Sequence, residues 1–118
     1  MEMISNACLQ RFKAINDVKD ILSGKWKIMI IASLSVFGEK RYTELQRIID
    51  GIGTKMLSKE LQELEINGLI KRTVMDTKPV TVKYELTAYG STLKPIIDEM
   101  ASWGSQHRAK VIKEIAAK

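Results

Sequence analysis

The chain has 118 residues, of which 45% are hydrophobic, and its formal net charge is +5. This length suffices for one folded domain with a single core, and the composition excludes a disordered chain, while the basic charge suits a polyanionic partner. One cysteine and one histidine exclude both an intramolecular disulfide and a zinc site with three or four ligands of these two types.

The segments that could direct the chain to a membrane are missing from the sequence. The N-terminal residues lack the basic start and long apolar run of a signal peptide. The longest apolar stretch, residues 28–34, is far shorter than a membrane span. We therefore expect a soluble, cytoplasmic protein with no membrane partner.

Two helices are predicted before residue 38. Between residues 8 and 22, apolar side chains recur at steps of three and four, which predicts an amphipathic helix that docks on its own core or on a second subunit. The next helix begins near Lys25-Trp26 and is apolar on nearly every side, which is typical of a buried central helix. Trp26 could stack on a ligand or a base, but its spacing favours the core.

The next predicted elements are a short extended segment and a short third helix. Residues 39–42 are predicted to be extended, and Thr43 is predicted to be the N-cap of the helix. Leu45, Ile48 and Ile49 form its apolar face. A turn at residues 50–53, which contains two glycines, follows this helix.

Residues 54–69 are the stretch around which the chain is organised. Leu57, Leu61 and Leu64 recur at helical spacing and predict one buried stripe. Asn67-Gly68 should end the helix, with Leu69 folding back onto it. Two short amphipathic helices joined by a tight turn that contains glycine predict a helix-turn-helix motif.

The other face of this helix carries short or flexible polar side chains. They are crowded toward its N-terminal half: Thr54, Lys55, Ser58, Lys59 and Gln62. Polar residues presented outward near a helix N-terminus are what a major-groove reader needs. Most such faces are merely solvated, so the interpretation depends on the flanking segments.

After Leu69 the hydrophobic period becomes two. Residues 70–75 and 80–86 alternate on either side of a turn that contains Pro79, which predicts a β-hairpin. Its charge is mainly positive, with Lys78 at the tip. A basic hairpin directly after a recognition helix is typical of a wing, whose tip contacts phosphate or the minor groove. These lysines could equally protect an edge strand from aggregation.

The C-terminal part is predicted to be helical from residue 91 to 116. Thr87 should cap this region, and Pro95 should cause a kink or a restart. One face of it is apolar: Leu93, Ile96, Ile97, Met100, Trp103, Val111, Ile112 and Ile115. Because little else remains to cover this face, helices 8–22 and 91–116 are predicted to form a dimer interface.

The predicted fold class is mainly α with a small β-hairpin, a winged helix-turn-helix whose terminal helices form the dimer interface. We expect residues 1–118 to be a single domain with its core at about residues 20–104.

Several short sequence motifs, in this order, resemble those of the HxlR-type transcriptional regulators, a bacterial family related to the MarR group. The motifs are Gly24-Lys25-Trp26, Arg41-Tyr42-Thr43-Glu44-Leu45, Met56-Leu57-Ser58, Leu61, Leu64-Glu65, Gly68-Leu69, Pro79, Val82, Tyr84, Leu86-Thr87, Gly90 and Trp103. They span about residues 20–104. The resemblance implies a dimeric winged-helix DNA-binding regulator, with helix 54–67 in the major groove and loop 76–81 as the wing.

Three positions depart from the family pattern. Gly53 replaces a serine that often caps the recognition helix, so Thr54 is expected to cap it instead. Lys83 replaces the usual glutamate before Tyr84 and makes the wing more basic. Some relatives sense oxidants through a cysteine shortly before the Lys-Trp motif, but Cys8 lies further upstream, and the role is not carried over.

The leading hypothesis is a homodimer that binds double-stranded DNA sequence-specifically and regulates transcription. Candidates for base edges or flanking phosphates are Lys55, Ser58, Lys59 and Gln62, and candidates for phosphate alone are Arg41, Arg47, Thr54 and Lys78. Two recognition helices related by a two-fold axis predict half-sites roughly 10 bp apart.

Two other classes of function are open to this sequence. The mixed charge of the recognition helix, with Glu60, Glu63 and Glu65 beside two lysines, allows a winged-helix module that binds another protein instead of DNA. No catalytic residue set or phosphate-binding loop is evident, so we expect no enzyme, cofactor or metal, and His107 is expected to be solvated or at a dimer contact. An unidentified small-molecule effector stays open.

Overall fold

The computed structural model describes residues 5–117 and is mainly helical with one small antiparallel sheet. The elements, in chain order, are α1 Asn6–Ile21, α2 Lys27–Phe37, β1 Lys40–Arg41, α3 Tyr42–Ile48, α4 Thr54–Ile66, β2 Ile70–Met75, β3 Thr81–Leu86, α5 Ala88–Ser91 and α6 Lys94–Ala116. Among these residues, no helix is long and apolar enough to cross a membrane.

The core is built around α2, which packs against α3, α4 and the sheet. Ile30, Ile31 and Leu34 of α2 are buried, as predicted. The predicted central position of α2 is confirmed, but the helix is not buried on all of its apolar sides, because Val36 and Phe37 are 70% and 55% exposed. At 100° per residue, Val36 lies almost opposite the mean direction of the buried isoleucines, so it turns away from the core.

The N-terminus of α3 corrects one predicted cap. Arg41, in extended conformation, is the N-cap, and Thr43 lies inside the first turn. The cap is made by Glu44, whose carboxylate accepts a hydrogen bond from the Arg41 backbone N–H at 3.0 Å. A carboxylate at the third helical position satisfies a backbone donor that the helix itself cannot, which is why the helix starts at Tyr42.

The N-terminus of α4 corrects a second one. Gly53, with φ −81° and ψ 163°, is the N-cap, and Thr54 is already the first helical residue. The extended backbone of Gly53 lets its carbonyl accept the first intrahelical bond, from the Leu57 N–H at 2.9 Å. No side chain caps this end, so the N–H groups of the first turn are left for solvent or a partner.

The C-terminus of α4 has the predicted glycine-terminated cap. Gly68 has φ 74°, in the left-handed region, and its N–H donates to the Glu65 carbonyl at 2.9 Å. The Leu69 N–H donates to the Leu64 carbonyl at 3.0 Å, which completes a Schellman motif. Leu69 and Leu64 are both buried, so this turn connects α4 rigidly to the hairpin.

The predicted hairpin is confirmed, and it is part of a larger sheet. The strand order is β1-β3-β2, and all pairs are antiparallel. Arg72 lies opposite Tyr84, and Val74 lies opposite Val82. The expected short extended segment is β1, whose Lys40 pairs with Tyr84. This pairing is a tertiary contact that the hydrophobic period of the segment did not indicate.

The C-terminal helical region is broken into two helices. Thr87 caps the short α5, as predicted, by accepting a hydrogen bond from the Gly90 N–H at 2.9 Å. The same hydroxyl donates to the Gly68 carbonyl at 2.6 Å, which ties α5 to the end of α4. The chain then restarts as α6, with Pro95 in its first turn, so the expected helix 91–116 begins later, at Lys94.

The two terminal helices extend away from the core. The radius of gyration is 17.9 Å, compared with about 13.5 Å for a compact domain of this length. No residue of α1 is buried, and Ile97 is the single buried residue of α6. The apolar stripes of both helices are therefore largely open to solvent.

Candidate nucleic-acid interface

Helix α4 is held to the core by its leucines and presents the opposite face to solvent. Leu57, Leu61 and Leu64 are at most 1% exposed. The predicted reading residues are all exposed: Thr54, Lys55, Ser58, Lys59 and Gln62. Each fully buried leucine contributes about 1.5–3 kcal/mol, so the core side alone is enough to hold the helix. The outer face is left free for a partner.

A tyrosine of α3 organises the N-terminal half of this face. The Tyr42 hydroxyl donates to the Thr54 carbonyl at 2.9 Å and lies 3.0 Å from the Ser58 hydroxyl oxygen. Because the single hydroxyl proton of Tyr42 is used on the carbonyl, Ser58 is the donor in the second bond. Ser58 is exposed, so a partner can reach its hydroxyl. In this arrangement the Ser58 hydroxyl oxygen keeps its acceptor capacity for a partner.

Behind α4 lies a buried ion network that the sequence did not reveal. Lys27 of α2 and Glu60 of α4 are each 5% exposed, and the Lys27 Nζ lies 2.7 Å from a Glu60 carboxylate oxygen. It also lies 2.5 Å from Glu63. Burial acts to lower the pKa of Lys27, but the hydrogen bonds and charges of Glu60 and Glu63 outweigh it and raise this pKa above its ordinary value. The hydrogen bond from Lys27 holds the pKa of Glu63 below its ordinary range.

This network changes the charge of the reading face. Glu60 and Glu63 are turned to α2 and paired with Lys27, whereas Lys55 and Lys59 form no ion pair within the described residues. Two of the three carboxylates that made the helix look mixed in sign are therefore paired on the side that faces α2, whereas Glu65 is exposed. The exposed side is more basic than the sequence suggested.

The predicted phosphate contacts lie around α3 and the hairpin. Arg41 and Arg47, at the two ends of α3, are exposed, and the Arg41 Nε lies 3.1 Å from a Glu44 carboxylate oxygen. Lys78 is exposed in the turn between β2 and β3. The Thr77 hydroxyl donates to the Pro79 carbonyl at 2.8 Å and holds this turn in shape.

Two adjoining clefts lie between the helix-turn-helix and the hairpin. The larger, of about 540 Å³, is lined in part by Arg41, Ser58 and Arg72. The smaller, of about 390 Å³, is lined by Ser58, Gln62, Glu65, Arg72 and Tyr84. The fold thus brings together three predicted site residues, Arg41, Ser58 and Gln62. The other five line neither cleft: Arg47, Thr54, Lys55, Lys59 and Lys78.

Arg72 and two tyrosines of this region were missed as site residues. Burial raises the pKa of Tyr84, and the nearby Arg72 acts in the opposite direction without cancelling the effect. A signal for Arg72 was present in the strand pattern. It lies in phase with Ile70 and Val74 in the apolar alternation of β2, where a charged residue is unusual, although in the fold only Ile70 of these three is buried.

The remaining reactive side chains lie far along the chain from this face. Cys8 is a free, exposed thiol on α1. The His107 ring stacks on the Trp103 ring, with centroids 5.3 Å apart, on the exposed face of α6. In the part of the chain that the structure describes, no three His, Cys, Asp or Glu side chains are grouped to hold a metal ion.

Comparisons with known proteins agree on one kind of relative. Residues 21–111 match a family model described as HxlR-like helix-turn-helix. YtcD of Bacillus subtilis (strain 168), described as an uncharacterized HTH-type transcriptional regulator, is 41% identical over 92 residues, which are 78% of this chain and 72% of that protein.

Solved structures extend the similarity to the fold. The crystal structure of ytcD matches with a TM-score of 0.75 and 39% identity, over 80% of this chain and 96% of that chain. A MarR-family transcriptional regulator from Porphyromonas gingivalis W83 matches with a TM-score of 0.75 and 36% identity, over 89% of this chain and 97% of that chain. The winged helix-turn-helix predicted from the sequence is confirmed.

Proposed function

The chain belongs to the HxlR-like helix-turn-helix family of transcriptional regulators, and we propose that it binds specific sequences of double-stranded DNA as a homodimer in the cytoplasm. One observation carries the proposal. Three buried leucines hold α4 from behind, while its outer face offers short polar side chains and two lysines that form no ion pair among residues 5–117. A helix held in this way can enter a major groove without giving up its packing.

The polar residues divide into two roles. Lys55, Ser58, Lys59 and Gln62 face base edges or the phosphates that flank them, with Ser58 accepting a hydrogen bond from a base amino group. The second set binds phosphate: Arg41, Arg47, Thr54 and Lys78. Phosphate contacts set the register of the protein on the duplex, and base contacts carry the sequence preference.

Dimerisation is proposed through helices 8–22 and 91–116 of a domain that spans the chain. Phe12 and Ile15 of α1 are 70% and 60% exposed, and Trp103 and Ile115 of α6 are each 68% exposed. Apolar stripes of this length on two projecting helices favour burial against a second copy. A two-fold axis would set the half-sites about one helical turn, roughly 10 bp, apart.

Replacement of both α4 lysines by alanine tests the reading face. The K55A/K59A variant should bind the preferred DNA more weakly, and the slope of log K against log salt should fall by about 0.9 for each phosphate that the variant no longer neutralises. The control is K94A/K113A, which removes the same charge from exposed positions of α6. Equal affinity and slope for K55A/K59A and the parent would refute the assignment of this face. The preferred DNA is obtained first, by selection from random duplexes with the purified protein.

The alternative of a protein-binding module is not favoured by the relatives, which are described as HTH-type transcriptional regulators. The mixed charge that motivated it is also reduced, because Glu60 and Glu63 are paired with Lys27. A gel shift with random duplex DNA at low salt separates the two functions. No retardation at any protein concentration would favour the protein partner. We propose no catalytic activity and no cofactor, and leave a small-molecule effector unassigned.

A further inference from the structure

The larger cleft begins where the reading face of α4 ends. Ser58, on that face, borders both clefts, and the opposite wall of the larger one is formed by Pro79, Val80 and Val82 of the wing. Its volume is about 540 Å³, and it is open along one side, because Val80 and Pro79 are exposed. Besides Ser58, the wall that faces the hairpin is formed by residues 41–43 at the start of α3, so the cleft is a channel between the helix-turn-helix and the hairpin.

The charge of this channel is positive. Arg41 and Arg72 line it, and no carboxylate of residues 5–117 lies within 4.0 Å of the Arg72 guanidinium. Arg41 uses its Nε on Glu44, which leaves its terminal N–H groups free of that carboxylate. Glu65 borders the smaller cleft beside Arg72 but not the larger one.

The position of Arg72 is set by the sheet. It lies opposite Tyr84 in the register of β2 and β3, and Tyr84 is only 6% exposed. Arg72 is itself exposed, and its guanidinium reaches the channel from a backbone position that the paired strands fix, unlike a lysine at the hairpin tip.

With α4 in a major groove and the hairpin beside it, one sugar-phosphate strand of the duplex must run between these two elements. The channel matches such a strand, since its guanidinium groups suit phosphate and its proline and valine wall suits the deoxyribose faces. This step rests on the proposed function.

We propose that the larger cleft holds one sugar-phosphate strand of the bound duplex, and that Arg72 binds a backbone phosphate there. Arg72 fixes the position of the wing relative to α4 on the DNA and reads no base. The apolar wall packs on the adjoining sugars and excludes water from the ion pair.

The test compares R72Q, R72K and a charge-matched control, K113Q on α6, with the parent protein. Binding to the selected duplex and to a random duplex is measured at several salt concentrations. If each subunit of R72Q binds one phosphate fewer, the slope of log K against log salt should fall by about 1.8 for the dimer. The loss of DNA affinity of R72Q relative to the parent should then become about 12-fold smaller between about 50 and 200 mM salt. R72K keeps the charge and should restore most of the slope, and K113Q should retain the parent slope.

The ratio of selected to random affinity separates phosphate binding from base reading. This ratio should stay unchanged in R72Q, because both duplexes offer the same phosphates. A collapse of the ratio would mean that Arg72 reads a base, and an unchanged slope would mean that no strand occupies the cleft. Either result overturns the proposal. Failure of the parent protein itself to bind either duplex would instead refute the proposed function.

Discussion

Replacement of Lys27 by methionine tests the buried network behind the recognition helix. The side chains of Lys27 and Glu60 are 6% and 7% exposed, and their charged groups lie 2.7 Å apart. The K27M variant keeps the approximate volume but leaves the Glu60 carboxylate buried without a cation. Removing one partner of a buried ion pair costs about 3–5 kcal/mol, which is a large part of the stability of a typical domain.

Glu63 should add little to that cost. Its side chain is 41% exposed, so it can regain water when Lys27 is replaced. We therefore expect the free energy of unfolding of K27M to fall by about 3–5 kcal/mol, almost all of it through Glu60.

A double variant separates two contributions to the free energy of unfolding: the cost of leaving a buried charge unpaired and the net contribution of the intact ion pair. In K27M/E60M both buried charges are replaced by apolar side chains of similar length. Such replacements are often neutral, or stabilising by about 1–4 kcal/mol, so the double variant should be at least as stable as the parent.

Urea unfolding followed by circular dichroism measures these differences. All variants must be compared at one protomer concentration, because association shifts the apparent stability. The matched control is K113M, an exposed lysine whose replacement should change the free energy by no more than about 0.5 kcal/mol. The reasoning is refuted if K27M unfolds within about 1 kcal/mol of the parent, or if the double variant is no more stable than K27M.

Three further predictions concern a glycine, the acid range and the dimer seam. A Cβ on Gly90 would lie 1.9 Å from the backbone carbonyl oxygen of Leu69, at the α4–β2 junction, so G90A should lower the free energy of unfolding in urea by about 3 kcal/mol or more. The control is G104A, whose Cβ meets no atom within 4 Å and which should stabilise α6 by about 0.5–1 kcal/mol. Lys27 lowers the pKa of Glu63 from its ordinary 4.5, so the stabilisation from this carboxylate is complete above pH 4.5 and is lost as the pH falls through the folded-state pKa. The fall in the free energy of unfolding below pH 4.5 should therefore be smaller in K27M than in the parent. An identical fall in the two proteins would contradict the pairing. F12E places a charge on a side chain that is 70% exposed, so it should leave the protomer folded but shift the sedimenting mass toward the monomer, and an unchanged dimer mass would exclude α1 from the seam.

The wrong predictions concern where helices begin and which of their faces are buried, and not which segments are helical. Thr43 and Thr54 are good capping residues by type, but the backbone enters each helix earlier, at Arg41 and Gly53. At the first end Glu44 provides the missing acceptor, and at the second no side chain does. Capping propensities of about 1 kcal/mol are too small to override where tertiary packing starts a helix.

The sequence also carried no sign of two tertiary arrangements. Lys27 is followed by the isoleucines of α2, and no local pattern indicates that its amino group contacts Glu60, which lies 33 residues later. The pairing of β1 with β3 likewise joins segments that are more than 40 residues apart. Such contacts depend on how the helices stack, and side-chain periodicity contains no information about distance between elements.

By itself the sequence determined which segments are helical or extended, which leucines hold the recognition helix, and where Gly68 and Thr87 end and begin helices. These features depend on side-chain spacing and backbone freedom within a few residues, so they can be seen in any window of the chain. Only the tertiary structure decided the charge of the reading face and the residues of the cleft. Lys27 draws two carboxylates behind α4, and the sheet brings Arg72 beside Ser58, because ion pairs and clefts form between elements that the fold brings together.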